Sequence, residues 1–471
     1  MRSELLSLYE ENSSQAQDRD IFSRIPTREH NIEKLSSDRN FDIILFGGGL
    51  TNALVAHEAA VRGFSVLLLD SKRIGVNALP WDFRAVDNLV DDPLNVLRAK
   101  RLLAKLEKNV APHLITPTDI KIDSPWCSQQ RLVQKFASLY HVDERLLINE
   151  YVLAARQEGA IVLDSIEFDH IEAESKSGCY IVQFRDPDSE VPIRARGGGL
   201  MVDPTHERLP STALGGQVVS IPNAQVSAVY RRFRGVPHDA RASKPYGCFE
   251  CPDGAKVVII QRSPEIYEGA LLFKKERLPE HLVDAVFESA CQEMGLCVDA
   301  MLFSRNLIGR FVPTYAVVQT KGVFYCDHRA PWDAFRSASQ VVEAMLSYRT
   351  SGGPKMRFFS RPLSGVHMGG EVVLFRAQAR SAGIREKTIE ACISRWQGRV
   401  RHIAEFPNGL YEFVPGVLRG EIDMAVSADH ARDIEAVIEN ALGLSLTEFD
   451  QEDQVKLRER IALVVASRNE A

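Results

Sequence analysis

Phe41-Asp42-Ile43-Ile44-Leu45-Phe46-Gly47-Gly48-Gly49-Leu50-Thr51-Asn52-Ala53 begins a stretch that runs on through Val66-Leu67-Leu68-Leu69 to Asp70. The apolar run Ile43 to Phe46 meets three consecutive glycines. A helix-like segment follows, and a second apolar run ends on an acid 21 positions after Gly49. This is the layout of a βαβ unit that binds a dinucleotide such as FAD or NAD. Gly47 permits the tight turn out of the first strand, and Gly49 lets the backbone approach a pyrophosphate with no Cβ in the way. The N–H groups that open the helix face the phosphates, helped by the helix dipole. Asp70 is placed to accept a hydrogen bond from an adenosine ribose hydroxyl. Gly47, Gly48, Gly49, Thr51, Asn52, Asp70, Ser71 and Lys72 are the cofactor-binding candidates. The third glycine of G-x-G-x-x-G is replaced by Asn52. Its side chain requires the helix to move outward or the Asn to point away from the strand. The competing reading is a parallel βαβ unit with no ligand.

The chain has 471 residues, which implies two to three domains, and its composition is that of a globular protein, 45% hydrophobic and 25% charged. A net charge of −6 gives no basic excess, so nucleic acid is not an expected partner. No apolar run approaches the ~20 residues that span a bilayer, and Met1 to Gln17 is polar with no signal-peptide core. The expected location is cytoplasmic, with peripheral contact at the inner face of the membrane left open. Eight scattered cysteines make no disulfide framework. Cys248 and Cys251 have the spacing of half a zinc knuckle, but Cys291 and Cys297 are wrongly spaced for the other half. Ordinary thiols and no metal are the expectation.

Thr27 before Arg28-Glu29-His30 signals a helix start, with Ile32 and Leu35 as docking positions. Helical patterns follow at Asp92 to Val110, where a basic stripe reads as a solvated face, and at Glu144 to Glu158. Gly159 then leads into a strand over Ala160 to Leu163. Strand patterns around Ile166 to Ile171 and Tyr180 to Phe184 continue to about Phe273. Helix returns at Glu280 to Met294 and at Ala334 to Ser347. Glu386 to Ile403, Ala428 to Ala441 and Asp453 to Val465 are amphipathic. Ser351-Gly352-Gly353-Pro354 reads as a boundary loop.

Four segments resemble the FAD-dependent glycerol-3-phosphate dehydrogenases, within the wider group of glycine/D-amino-acid oxidase-like flavoproteins. They are the lead-in from Arg24 to Leu35 running into the glycine loop; Ala53 to Asp70 with Ala59-Ala60-Val61-Arg62-Gly63-Phe64; Val142 to Gly159; and Gly409 to Leu444 with Gly420-Glu421-Ile422-Asp423. The resemblance implies an α/β fold: an FAD/NAD(P)-binding Rossmann-like domain interleaved with a β-rich substrate domain, plus a helical C-terminal domain. The implied boundaries are an N-terminal extension over 1–38, the FAD-binding domain over 39–205, the substrate domain over 206–315, a return segment over 316–365 and the helical domain over 380–471. It further implies FAD as cofactor, a small-molecule substrate and an electron acceptor such as a quinone. A homodimer is left open.

The chain departs from that family at Asn52, at 71–84 where a serine-rich loop and a His-Gly-Gly are lacking, at Asp203-Pro204, and at Tyr325 to Trp332 in place of a Gly-Gly-Lys. All four are expected to face one cofactor. The family's anion-clamping arginine corresponds to Arg310 in Gly309-Arg310-Phe311-Val312-Pro313, because a guanidinium fork grips oxyanions in bidentate fashion. His328, beside Arg329, lies where the flavin-proximal turn belongs and is the candidate base. Arg84 is a weaker phosphate contact, and Trp81 and Trp332 are pocket walls or core. The expected function is an FAD-dependent oxidoreductase that oxidises a small polyol phosphate, hydroxy acid or amine by hydride transfer to flavin. The alternatives are a catalytically inactive descendant acting as a binding or regulatory protein, and a tailoring flavoenzyme of specialised metabolism.

Overall fold

Four consecutive buried side chains make Ile43–Phe46 (β2) an interior strand, covered on both faces. The computed structural model describes residues 25–35, 39–75, 115–118, 139–142, 144–174, 179–187, 192–202, 224–237, 246–250, 256–261, 265–273, 279–311, 316–320, 323–327, 331–347, 368–428, 431–444 and 446–469. The helical pattern at Asp92 to Val110 and the Ser351 loop lie outside them.

Helix α1 (Arg28–Leu35) and strand β1 (Asn40–Phe41) precede β2. Thr27 caps α1 as expected, its Oγ1 accepting the His30 N–H at 3.3 Å. Helix α2 (Leu50–Val61) and β3 (Val66–Leu69) follow β2. A hairpin of β4 (Ile115–Thr118) and β5 (Leu139–Val142) comes next. Helix α3 (Glu144–Gln157) then turns at Gly159, φ +94°, into β6 (Ile161–Leu163). Strands β7 (Glu167–Glu174), β8 (Cys179–Arg185) and β9 (Ile193–Gly197) join β1 in a four-stranded sheet ordered β1-β9-β8-β7. The chain re-enters the first sheet as β10 (Leu200–Val202), beside β2.

A second sheet follows, antiparallel and ordered β12-β13-β14-β11-β15. Its strands are β11 (Ala224–Pro237), β12 (Tyr246–Glu250), β13 (Lys256–Gln261), β14 (Ile266–Phe273) and β15 (Leu296–Phe311). Helix α4 (Glu280–Glu293) covers one face through Val283, Phe287 and Ala290, packed on Val229, Phe233 and Tyr267. Strands β16 (Ala316–Thr320) and β17 (Val323–Asp327) and helix α5 (Pro331–Ser347) return to the first sheet. That sheet reads β16-β17-β10-β2-β3-β6, parallel except at β16. The strand period of two divides its core. Ile43 and Leu45 face α2, α3 and α5, while Ile44 and Phe46 face the four-stranded sheet.

The C-terminal part contains α6 (Met368–Ser381), α7 (Glu386–Trp396), α8 (Val400–Glu405) and the hairpin β18 (Glu412–Val414), β19 (Val417–Leu418). After these come α9 (Arg419–Ala428), a π-helical segment Ala436–Ala441 and α10 (Gln451–Asn469). Two expected helices differ. Glu386 to Ile403 is interrupted by a 3₁₀ turn at Gln397–Arg399. Ala428 does not begin a helix but ends α9. The next helical segment starts after Asp433, whose Oδ1 accepts the Ala436 N–H at 2.8 Å and so supplies a new N-terminal cap. No helix among the described residues is long and apolar enough to cross a membrane.

This unit is centred on a buried acid. Glu421 is fully buried and accepts from Arg395 Nε at 2.7 Å, Arg395 Nη2 at 2.9 Å, Trp396 Nε1 at 2.8 Å and the Leu418 N–H at 2.7 Å. Glu421→Ala strands the Arg395 charge and is expected to cost about 3–5 kcal/mol. Urea denaturation followed by Trp fluorescence measures this, and an unchanged midpoint would show the network to be dispensable.

Candidate cofactor site at the glycine turn

Strand β2 ends in Phe46, and Gly47 turns the chain with φ +103°, a conformation that strains any residue carrying a Cβ. The Gly47 N–H donates to Leu69 O of β3 at 2.8 Å, so the turn is seated on the neighbouring strand. Gly49 is the N-cap of α2 and provides no side-chain cap. The first-turn N–H groups have no acceptor within the helix, and the dipole adds partial positive charge there. Thr51 lies in that turn, 1% exposed.

Asn52 does not turn away from the strand. It is fully buried, and its Nδ2 donates to Phe46 O at 2.7 Å and Gly47 O at 2.8 Å. A glycine here could make neither bond. The Asn52 Oδ1 is buried without a hydrogen-bond partner among the described residues. The side chain therefore acts on the turn itself, tying two of its carbonyls.

Asp70 leaves the tip of β3 and is 7% exposed. Its Oδ2 accepts the Gly48 N–H at 2.5 Å and its Oδ1 accepts the Lys72 N–H at 2.7 Å. Each carboxylate oxygen can accept a second bond. Residues 72–75 then fold back over the turn. Gly75 N–H donates to Gly48 O at 3.2 Å, and Ser165 N–H donates to Lys72 O at 3.1 Å. A Cβ at Gly48 would lie 2.7 Å from Ile74 Cγ1 and 2.8 Å from Ile74 Cα. Gly48 is therefore needed for close packing against Ile74. Ser71 is half-buried in this segment, and the Lys72 side chain is exposed.

The described residues fit the adenosine diphosphate half of a dinucleotide. An uncapped helix start at Gly49 and a carboxylate at the tip of the second strand are the required donor and acceptor. Gly48 does not contribute an open face, because Ile74 covers it and Asp70 takes its N–H.

The remaining candidates are not brought together by the described residues. Arg310 lies on β15 opposite Gln225 of β11. His328, Arg329, Trp81, Arg84 and the stretch at Asp203-Pro204 lie outside the described residues. So does Cys251, while Cys248 lies on β12. Among the described residues no group of three or more His, Cys, Asp or Glu could hold a metal ion.

Sequence reasoning missed a buried ion cluster beside the 72–75 segment. Arg28, at the start of α1, donates from Nε to Asp186 at 2.7 Å and from Nη1 to Asp164 at 3.3 Å. Burial raises the Asp164 carboxyl above the usual carboxylate range, against the lowering effect of Arg28 and Arg156. The two acids are 136 and 158 residues distant from Arg28 in the chain, so no local spacing signals them.

No family model and no curated protein matches the chain. Solved structures do. The FAD-complexed glycerol-3-phosphate dehydrogenase from Bacillus halodurans superposes with a TM-score of 0.63 at 14% identity, covering 93% of this chain and 97% of its own. L-proline dehydrogenase from P. horikoshii gives 0.47 at 13% identity, with 66% and 95% covered. Glycine oxidase from Geobacillus kaustophilus gives 0.46 at 13% identity, with 70% and 100% covered. The first of these establishes the fold over nearly the whole length of both chains.

Asn52→Gly restores the glycine fingerprint and yet is expected to destabilise the protein by about 1–3 kcal/mol, because two buried carbonyls lose their donor and a glycine enters the helix. Thermal melting monitored by circular dichroism tests this, and a raised melting temperature would contradict it.

Proposed function

We propose that this protein is an FAD-dependent oxidoreductase acting on a small polyol phosphate, hydroxy acid or amine. One observation carries the reading: the uncapped start of α2 after Gly47-Gly48-Gly49 stands beside the Asp70 carboxylate. This occurs in a fold shared over 93% of the chain with a structure complexed with FAD. Gly49 and the first turn of α2 would hold the diphosphate, and Asp70 the adenosine ribose. A bound flavin would supply the hydride acceptor for the substrate carbon. The protein's own part is to grip the anionic end of the substrate and to take the proton from its hydroxyl or amine. Arg310 is proposed for the first task and His328 for the second, on the residue types each task demands.

A second reading is favoured by a specific observation. Ile74 covers Gly48 and Asp70 occupies its N–H, so the turn is partly closed by the protein itself. Under that reading the fold persists as a binding module without redox activity.

The absorbance spectrum of the purified protein separates the two. The oxidoreductase reading expects flavin bands, or their appearance on titration with FAD, and bleaching under anaerobic conditions by a glycerol phosphate, hydroxy acid or amine. Asp70→Asn is expected to weaken FAD binding about tenfold or more, since it replaces a charged acceptor. Arg310→Ala is expected to raise KM for an anionic substrate more than it lowers kcat. A colourless protein that cannot be loaded with FAD would sink the proposal and leave the binding-module reading.

A further inference from the structure

We infer that a second ligand pocket, separate from the glycine turn, lies between α3 and the C-terminal helices and accepts a small molecule with a phosphate- or carboxylate-type anion on an apolar body. The inference does not depend on FAD being bound.

The cavity has a volume of about 440 Å³, within the range of small-molecule sites. Ile74, Val152, Ala428, Ala431, Ala436 and Val465 supply an apolar part of the wall. Four arginines, Arg28, Arg73, Arg156 and Arg432, line it against two aspartates, Asp164 and Asp433. Gly47, Gly48, Gly49 and Asp70 are not among its lining residues. Ile74 lines the cavity and also packs on Gly48, so the 72–75 segment is the partition between the two sites.

Arg28, in the cavity wall, carries an N–H that lacks an acceptor among the described residues. Arg28 is 5% exposed. Its Nε goes to Asp186 and its Nη1 to Asp164, but Nη2 is buried with no partner among the described residues. A buried unpaired guanidinium N–H is costly, and an oxyanion would complete it with a charge-assisted bond. The other cavity charges have partners of their own. Arg73 pairs with Asp433, while Arg432 pairs with Glu29 at 2.9 Å and with Asp186 at 3.9 Å. Arg156 Nη1 donates to Ala428 O at 3.1 Å.

The opposite wall has a matching irregularity. Ala436–Ala441 is π-helical, and both terminal alanines line the cavity. π-Helical turns are rare and concentrate at functional sites. Alanine at both positions leaves the volume open, where larger apolar residues would fill it.

Calorimetric titration of the full chain, as purified, tests the pocket. The probes are phenyl phosphate and benzoate, with inorganic phosphate and benzyl alcohol as their separate halves. One aromatic anion is expected to bind saturably at one site, about tenfold or more tighter than either half, a difference of about 1.4 kcal/mol. The preferred anion distinguishes a phosphate ligand from a carboxylate. Ala436→Phe, which fills the cavity without removing a charged group, is expected to abolish binding while the circular dichroism spectrum is retained. Arg28→Lys, which keeps the charge but removes the fork, is expected to weaken it about tenfold and stands as the second variant should Ala436→Phe fail to fold. No binding of either aromatic anion, unchanged binding in the folded variants, or displacement of the probe by FAD would overturn the inference. Failure to bind FAD leaves it intact, so the two sites fail separately.

Discussion

The Asp70 carboxylate accepts two backbone N–H groups, from Gly48 and from Lys72, and much of the local architecture depends on this double acceptance. The first bond fixes the glycine turn relative to β3. The second bends the chain as it leaves β3, so that Lys72 meets Ser165 and Ile74 lands on Gly48. An acid at this place is familiar as a ribose acceptor in dinucleotide folds. Here it also staples together the two sides of the turn. Charge-assisted bonds to backbone N–H groups are stronger than neutral ones, so the staple holds a segment with little apolar burial of its own.

Asn52 completes the arrangement from beneath. Its amide ties Phe46 O and Gly47 O, while Asp70 holds the Gly48 N–H from above. The turn is thus held by two side chains. In the usual fingerprint a third glycine lets helix and strand pack closely. In this chain a hydrogen-bonding side chain occupies that space and compensates for its volume with two bonds.

Helix α3 connects this region to the C-terminal unit. Leu153 is buried in the C-terminal core, Glu150 pairs with Arg399 at 3.5 Å with both side chains at most 4% exposed, and Arg145 reaches Glu439 O at 3.2 Å. Removing one member of such a buried pair leaves an uncompensated charge, so these contacts enforce a particular docking more than they add stability. The cavity lies between α3 and those helices, where alanines leave its wall short.

The βαβ unit was legible in the sequence because strand period, glycine turn and terminal acid are local features with a fixed spacing. Likewise Thr27 and Gly159 marked boundaries through chemistry that acts within a few residues. The π-helical segment Ala436–Ala441 starts later than the sequence pattern implies, because Ala428 and Ala431 continue an apolar pattern and only Asp433, capping Ala436, breaks it. Strand β15, sixteen residues long, falls within the expected β-rich stretch over 206–315, but no local pattern marks its bounds. Its pairing with β11 spans about seventy positions of chain, and tertiary context decides strand content more than propensity does. By itself the sequence determined the fold class and the βαβ unit with its glycine turn, since both are encoded in short-range pattern. Only the tertiary structure decided what Asn52 does, that Ile74 covers Gly48, and that Arg28 meets Asp164 and Asp186. Those are contacts between segments brought together by folding, and no spacing along the chain records them.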